Sequence, residues 1–271
     1  MRNLPIGVFD SGVGGLTVLA ALQQQLPNES FIYLGDMARL PYGTKSPETI
    51  ARYSLQICDY LTDRGIKMLV VACNTASALA LPLLQAERPD LPIIGVLHPG
   101  ARVACATTRT GHIAVIATEA TVNSASYTHA IHLIQPNINV VSASCSLFVA
   151  LAEEGWTNGE ISAAIAREYL NPLLQDPIDT LVLGCTHFPV LSDTIKANIA
   201  PHIHLVNSAE ATATEVSQAL DQYQLTALHT SPTLEFLVTD SPNRFIKTSQ
   251  FFLPYLLEHH QVSLIDFQHK K

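Results

Sequence analysis

The chain has 271 residues, of which 48% are hydrophobic and 14% charged, against about 25% charged in average proteins. So much apolar surface can bury a large core, which excludes intrinsic disorder. Fifteen Lys and Arg against 23 Asp and Glu leave a net charge of −8, which excludes the basic footprint of a nucleic-acid binder and attraction to an anionic membrane surface.

The first predicted element is a β-type run over 6–9, too short for a signal-peptide core and closed by Asp10. It leads into the turn Asp10-Ser11-Gly12-Val13-Gly14-Gly15, ahead of Leu16 and Thr17. Such a turn is similar to a dinucleotide fingerprint, with Asp36 at about the right distance onward. Thr17, however, stands where a third Gly or Ala belongs, and Asp10 would face a pyrophosphate. The preferred reading is a set of backbone N–H groups at a helix N-terminus, holding a small carboxylate.

A second strand is predicted over 31–34, then a turn at Pro41-Tyr42-Gly43-Thr44, where Tyr42 serves turn packing or ligand contact equally well. Ser46 as N-cap and Pro47 at the first helical position open a helix. Ile50, Tyr53, Ile57 and Leu61 recur on its inner face until Gly65 stops it. The third strand, 68–72, runs into Cys73-Asn74-Thr75, with a helix beginning near Ser77. This is the most apolar window of the chain, but Asn74, Thr75, Ser77 and Pro82 make it strand, turn and helix rather than a membrane span. Further strands are predicted over 93–96, 113–117, 140–141, 180–183 and 234–238. Strands alternating with helices predict parallel βαβ units with ligands at the carboxyl ends of the strands.

A weak repeat runs through these elements. Residues 6–11 resemble 113–118, and 68–75 resemble 180–187, in the same order. Buried strands often look alike by chance; matched cysteines at their ends, Cys73 and Cys185, do not follow from that. Two related α/β halves are therefore predicted, each delivering one thiol to a strand tip. With Cys58, Cys105 and Cys145 these form an odd set without a CxxC pair, read as free thiols in a reducing cytoplasm.

Either thiol alone could be a buried structural cysteine. Beside a helix N-terminus each instead sits where the dipole favours a thiolate. Two thiols facing each other across a cleft suit one chemistry well. One removes the proton of a carbon acid and the other returns a proton to the opposite face, which inverts the centre. Asp10 near Cys73 and His187 near Cys185 would tune or relay those protons. Three alternatives compete. Asp10, Cys73, Cys185 and His187 are zinc-type donors, so a zinc hydrolase is one, although Cys-x-His is not a usual zinc spacing and no metal is assigned. A non-catalytic amino-acid-binding protein is another. A pyridoxal phosphate racemase would need a Schiff-base lysine, and no lysine lies in the strand-end motifs.

Taken together, Phe9-Asp10-Ser11-Gly12-Val13-Gly14-Gly15-Leu16, Leu40-Pro41-Tyr42-Gly43, Ala72-Cys73-Asn74-Thr75-Ala76 and Leu183-Gly184-Cys185-Thr186-His187-Phe188-Pro189 resemble the glutamate racemase family. The similarity continues through 206–212 and 238–245, and so spans nearly the whole chain in order. The resemblance implies an isomerase that interconverts L- and D-glutamate without a cofactor and supplies D-glutamate for peptidoglycan, with aspartate as the runner-up substrate. It implies Cys73 and Cys185 as the paired acid/base thiols, assisted by Asp10 and His187. Asp10, Ser11, Tyr42, Gly43, Asn74, Thr75, Thr186 and His187 are implied substrate contacts, with Thr118 as the opposing half's hydroxyl. The implied architecture is two pseudo-symmetric parallel-sheet α/β domains with the active site in the cleft between them. Residues 1–97 with 207–271 form the first domain, and 98–206 the second, inserted into it. The implied partner is the small-molecule substrate, with neither nucleic acid nor membrane, and a homodimer is an assembly left open. His98 stands where the family commonly has Glu before Pro-Gly, and Ser146 where Pro is usual before Leu-Phe; neither change touches the thiols.

Overall fold

The computed structural model of the chain describes residues 2–228 and 231–267. In chain order the strands are β1 (Ile6–Asp10), β2 (Phe31–Gly35), β3 (Met68–Val71), β4 (Ile93–Gly95), β5 (His112–Ala117), β6 (Asn139–Ser144), β7 (Thr180–Gly184), β8 (His204–Asn207), β9 (Leu234–Val238) and β10 (Val262–Leu264). They make two sheets, ordered β10-β9-β2-β1-β3-β4 and β6-β5-β7-β8, and every pairing is parallel. The first four strands of each half share one order: β2-β1-β3-β4 corresponds to β6-β5-β7-β8. Ile6 pairs with Met68 as Ile113 pairs with Thr180, so the internal repeat is a repeat of topology. In each half the chain leaves the first strand to one side and returns on the other. The crevice at that reversal, above the carboxyl ends of β1/β3 and of β5/β7, is where parallel α/β sheets bind ligands.

The strands read as continuous apolar runs because both faces are covered. All residues of β1, β2, β3 and β7 are buried, as parallel sheets require. Each fully buried Leu, Ile or Val is worth about 1.5–3 kcal/mol, so these strands dominate the core. All eight predicted strands are present. β8 and β10 were not predicted: both lie at sheet edges, and β10, with two of its three residues exposed, offers little apolar pattern to read. β6 is longer than predicted for the same reason, since as an edge strand it buries little.

The helix Pro47–Asp63 starts at its predicted cap, where the Ser46 hydroxyl accepts from the Thr49 amide at 3.3 Å. Its face of Ile50, Ile57 and Leu61 is buried, and Gly65 ends it at φ +79°. The helix after β3 begins earlier than predicted, at Asn74, with Cys73 itself as N-cap and its carbonyl accepting from Ser77 at 2.8 Å. The chain passes to the second sheet through the helix Leu97–Thr107 and leaves it through the helix Ser208–Gln222, and these two helices pack together.

Candidate active site

The two strand-end thiols look into one cleft. From the first half it is lined by Ser11, Tyr42, Gly43, Cys73, Asn74 and Thr75, and from the second by Thr118, Cys185, Thr186 and His187. Every implied contact except Asp10 is there. Cys73 and Cys185 are only 5% and 6% exposed. The cavity measures about 30 Å³, far below the roughly 300 Å³ at which pockets for drug-sized ligands begin, so the two halves meet closely here. Their closeness accounts for the glycines. A Cβ at Gly14 would lie 2.4 Å from His187 Nδ1, and one at Gly43 would lie 2.6 Å from Thr118 Cβ. The Gly-rich turn serves a tight approach of the two halves rather than a phosphate.

On the first side, Cys73 Sγ lies 3.7 Å from Ser11 Oγ. Asp10 sits beneath the cleft wall, fully buried, its carboxylate accepting from Gly12 N at 2.9 Å and Thr186 Oγ1 at 3.4 Å. Burial raises its pKa above the ordinary carboxylate value, opposed by the charge of His187 and by the Gly12 and Gly15 amides. Burial also pushes the Cys73 thiol up to about 12, and the negative charge of Asp10 adds to it. The helix N-terminus therefore does not yield the dipole-favoured thiolate that the sequence suggested at this cysteine: in the closed cleft, desolvation and a buried carboxylate outweigh a partial charge.

The second side carries opposite charge. Cys185 Sγ lies 3.8 Å from His187 Nδ1, and His187 Nε2 lies 3.2 Å from Glu153 Oε1. Arg244 donates to the other oxygen of Glu153 at 3.0 Å. Burial pulls the His187 pKa down, but its hydrogen bonds to Cys185 and Glu153 and the charge of Asp10 outweigh this and push it up to about 10. Burial raises Glu153, yet His187 and Arg244 hold it below the ordinary value. Both ring nitrogens of His187 thus face acceptors, the Glu153 carboxylate and the Cys185 sulfur, an arrangement that favours the imidazolium.

The walls between are polar and fastened. Tyr42 donates to Asp36 Oδ2 at 2.5 Å, and Asp36 also receives Arg39 Nε at 2.6 Å and Thr239 Oγ1 at 2.9 Å. The hydroxyls of Thr75 and Thr118 meet across the cleft at 2.9 Å. Glu153, Arg244 and the structural role of Asp36 went unread in the sequence. The one signal for Glu153 is an acid ending the otherwise apolar helix Leu147–Glu153. Cys58, Cys105 and Cys145 are buried away from the cleft lining, and His98 and Ser146 are exposed outside it. Among the described residues, no three His, Cys, Asp or Glu are grouped to hold a metal ion. Among the described residues no helix is long and apolar enough to cross a membrane.

Comparison with known proteins agrees with this geometry. The model of the family described as Asp/Glu/Hydantoin racemase matches residues 6–216. The chain is 51% identical over 265 residues to the glutamate racemase of Geobacter metallireducens, covering 96% of both. Among solved structures it is similar to glutamate racemase from Francisella tularensis in complex with D-glutamate, with a TM-score of 0.93 and 36% identity over 99% of each chain. It is equally similar to a glutamate racemase isoform from Bacillus anthracis, with a TM-score of 0.93 and 38% identity over 98% of each.

Proposed function

The chain belongs to the Asp/Glu/hydantoin racemase family, and within it we propose that Cys73 and Cys185 interconvert L- and D-glutamate as two opposed acid/base groups, without a cofactor. The observation that carries the reading is the pair of buried strand-end thiols, one from each of two halves of equal topology, facing a single cleft. In one direction a thiolate takes the α-proton, forming an S–H bond as the C–H bond breaks. The opposite thiol then gives its proton to the other face of the carbanion. In the reverse direction the roles exchange. Each turnover leaves the two sulfurs with exchanged protonation, which the reverse reaction or a relay through His187 and Asp10 resets.

Hydroxyl and amide donors of Ser11, Asn74, Thr75, Thr118 and Thr186 line the cleft and suit the carboxylates of the substrate. Residues 98–206 are the inserted domain in this reading, supported by the chain's departure from the first sheet after β4 and its return for β9. Free, buried cysteines support a cytoplasmic location, where the product would supply D-glutamate for peptidoglycan.

The test is direct. Purified protein given D-glutamate in heavy water, with chelator and no added cofactor, is expected to lose optical rotation while deuterium enters at the α-carbon. Failure to exchange overturns the reading. D-Aspartate in the same assay separates the runner-up substrate, and is expected to turn over much more slowly.

A further inference from the structure

Asn74 opens the helix after Cys73, lines the cleft and is 3% exposed. Its side chain offers one acceptor and one donor group. The acceptor, Oδ1, receives the hydroxyl of Tyr127 at 2.7 Å. The donor, Nδ2, is buried and has no hydrogen-bond partner among the described residues, a condition shared by no other cleft-lining side chain. Most buried amide donors are hydrogen-bonded, so an unpartnered one in the wall of a cleft points to a bound acceptor.

Tyr127 comes from the opposite half, on the helix Ser126–Ile134 that follows β5. Its ring has little freedom to turn. A Cβ at Gly184 would lie 3.1 Å from Tyr127 Cε2, and one at Gly100 would lie 3.3 Å from its hydroxyl. Burial holds the phenol above its ordinary pKa, so it keeps its proton, and the hydrogen bond it donates goes to Asn74 Oδ1. A hydroxyl proton is accepted by the amide oxygen alone, so Nδ2 is turned away from Tyr127.

We propose that Tyr127 is a positioning residue that fixes the amide of Asn74 so that the cleft meets the donor Nδ2 and never the acceptor Oδ1, making this point of the wall selective for a carboxylate oxygen of the substrate. An ionised carboxylate only accepts; it is held by Nδ2 and would be repelled by Oδ1. Because the two residues belong to different halves, the lock exists only where the two halves meet at the cleft. The inference rests on the reading of the substrate as glutamate.

Tyr127→Phe tests it, because the ring and its packing stay while the directing proton goes. KM for glutamate is expected to rise about tenfold, the size of one hydrogen bond, with kcat falling less than threefold. In an Asn74→Ala background the same substitution is expected to leave glutamate affinity unchanged within twofold, since no amide remains to orient. Calorimetric affinity for D-glutamate serves where turnover is too slow for KM. An unaltered KM in Tyr127→Phe, or an equal loss in the Asn74→Ala background, overturns the proposal. Should Tyr127→Phe not fold, Asn74→Asp puts an acceptor where Nδ2 stands and is expected to raise KM at least about tenfold; an unchanged KM there counts equally against it. Wild type in the same assay separates the two levels: if it does not racemise glutamate the substrate reading falls, whereas active wild type beside an unaltered variant overturns the role of Tyr127 alone.

Discussion

Cys73 and Cys185 occupy the same place in two sheets of the same local strand order, just beyond β3 and β7, yet the groups that attend them carry opposite charge. Cys73 has a buried carboxylate, Asp10, behind it and the Ser11 hydroxyl beside it. Cys185 has the imidazolium of His187, backed by Glu153 and Arg244. The backbone repeat brings one sulfur from each half to a single cleft. Proton affinity comes instead from side chains that the repeat does not copy. Reach and proton supply are thus separable properties, and substitutions can address each in turn.

The largest effect is expected from removing reach. Cys73→Ala and Cys185→Ala should each lower racemisation by about a thousandfold or more, since one base cannot serve both faces and acid/base groups contribute about 10²–10⁴ each. Circular dichroism of the glutamate pool measures this. A single variant with the wild-type rate would break the equivalence of the two halves.

A smaller effect should follow from weakening proton supply on the second side alone. The raised pKa of His187 means that its charged form persists up to about pH 10 and is lost above it. Any step that needs this proton should fail as pH rises through that range and be unaffected by acidification from neutrality. Glu153→Gln replaces the carboxylate that faces His187 Nε2 by a neutral amide acceptor, so the basic limb of the kcat profile should move down by about one unit. An unmoved limb would detach Glu153 from the proton supply.

The smallest effect is expected at the rim. The Arg244 side chain is 56% exposed where it meets Glu153, and such pairs contribute about 0–1 kcal/mol. Arg244→Ala should change kcat less than about threefold, and added salt should mimic it in wild type. A hundredfold loss would place Arg244 in the chemistry instead of at its edge.

Much of this molecule is legible locally. Apolar runs mark the buried strands, Ser46 and Pro47 mark a helix start, and matched small residue–Cys–polar endings locate both thiols. The edge strands β8 and β10 escape such reading because they bury little and so need no apolar pattern. The Gly-rich turn misleads for a different reason. Glycine permits close approach without saying what approaches, and here it is His187, far away in the chain.

The succession of strands and helices along the chain and the siting of one thiol per half follow from short-range chemistry, because hydrophobic periodicity and caps act over a few residues. The charge state of the site does not. Thr186 and Asp10 meet across 176 residues, and Asn74 takes its orientation from Tyr127, 53 residues on. Those partners are brought together only when two independently patterned sheets close on one cleft, and burial there shifts proton affinities by amounts that no local motif encodes.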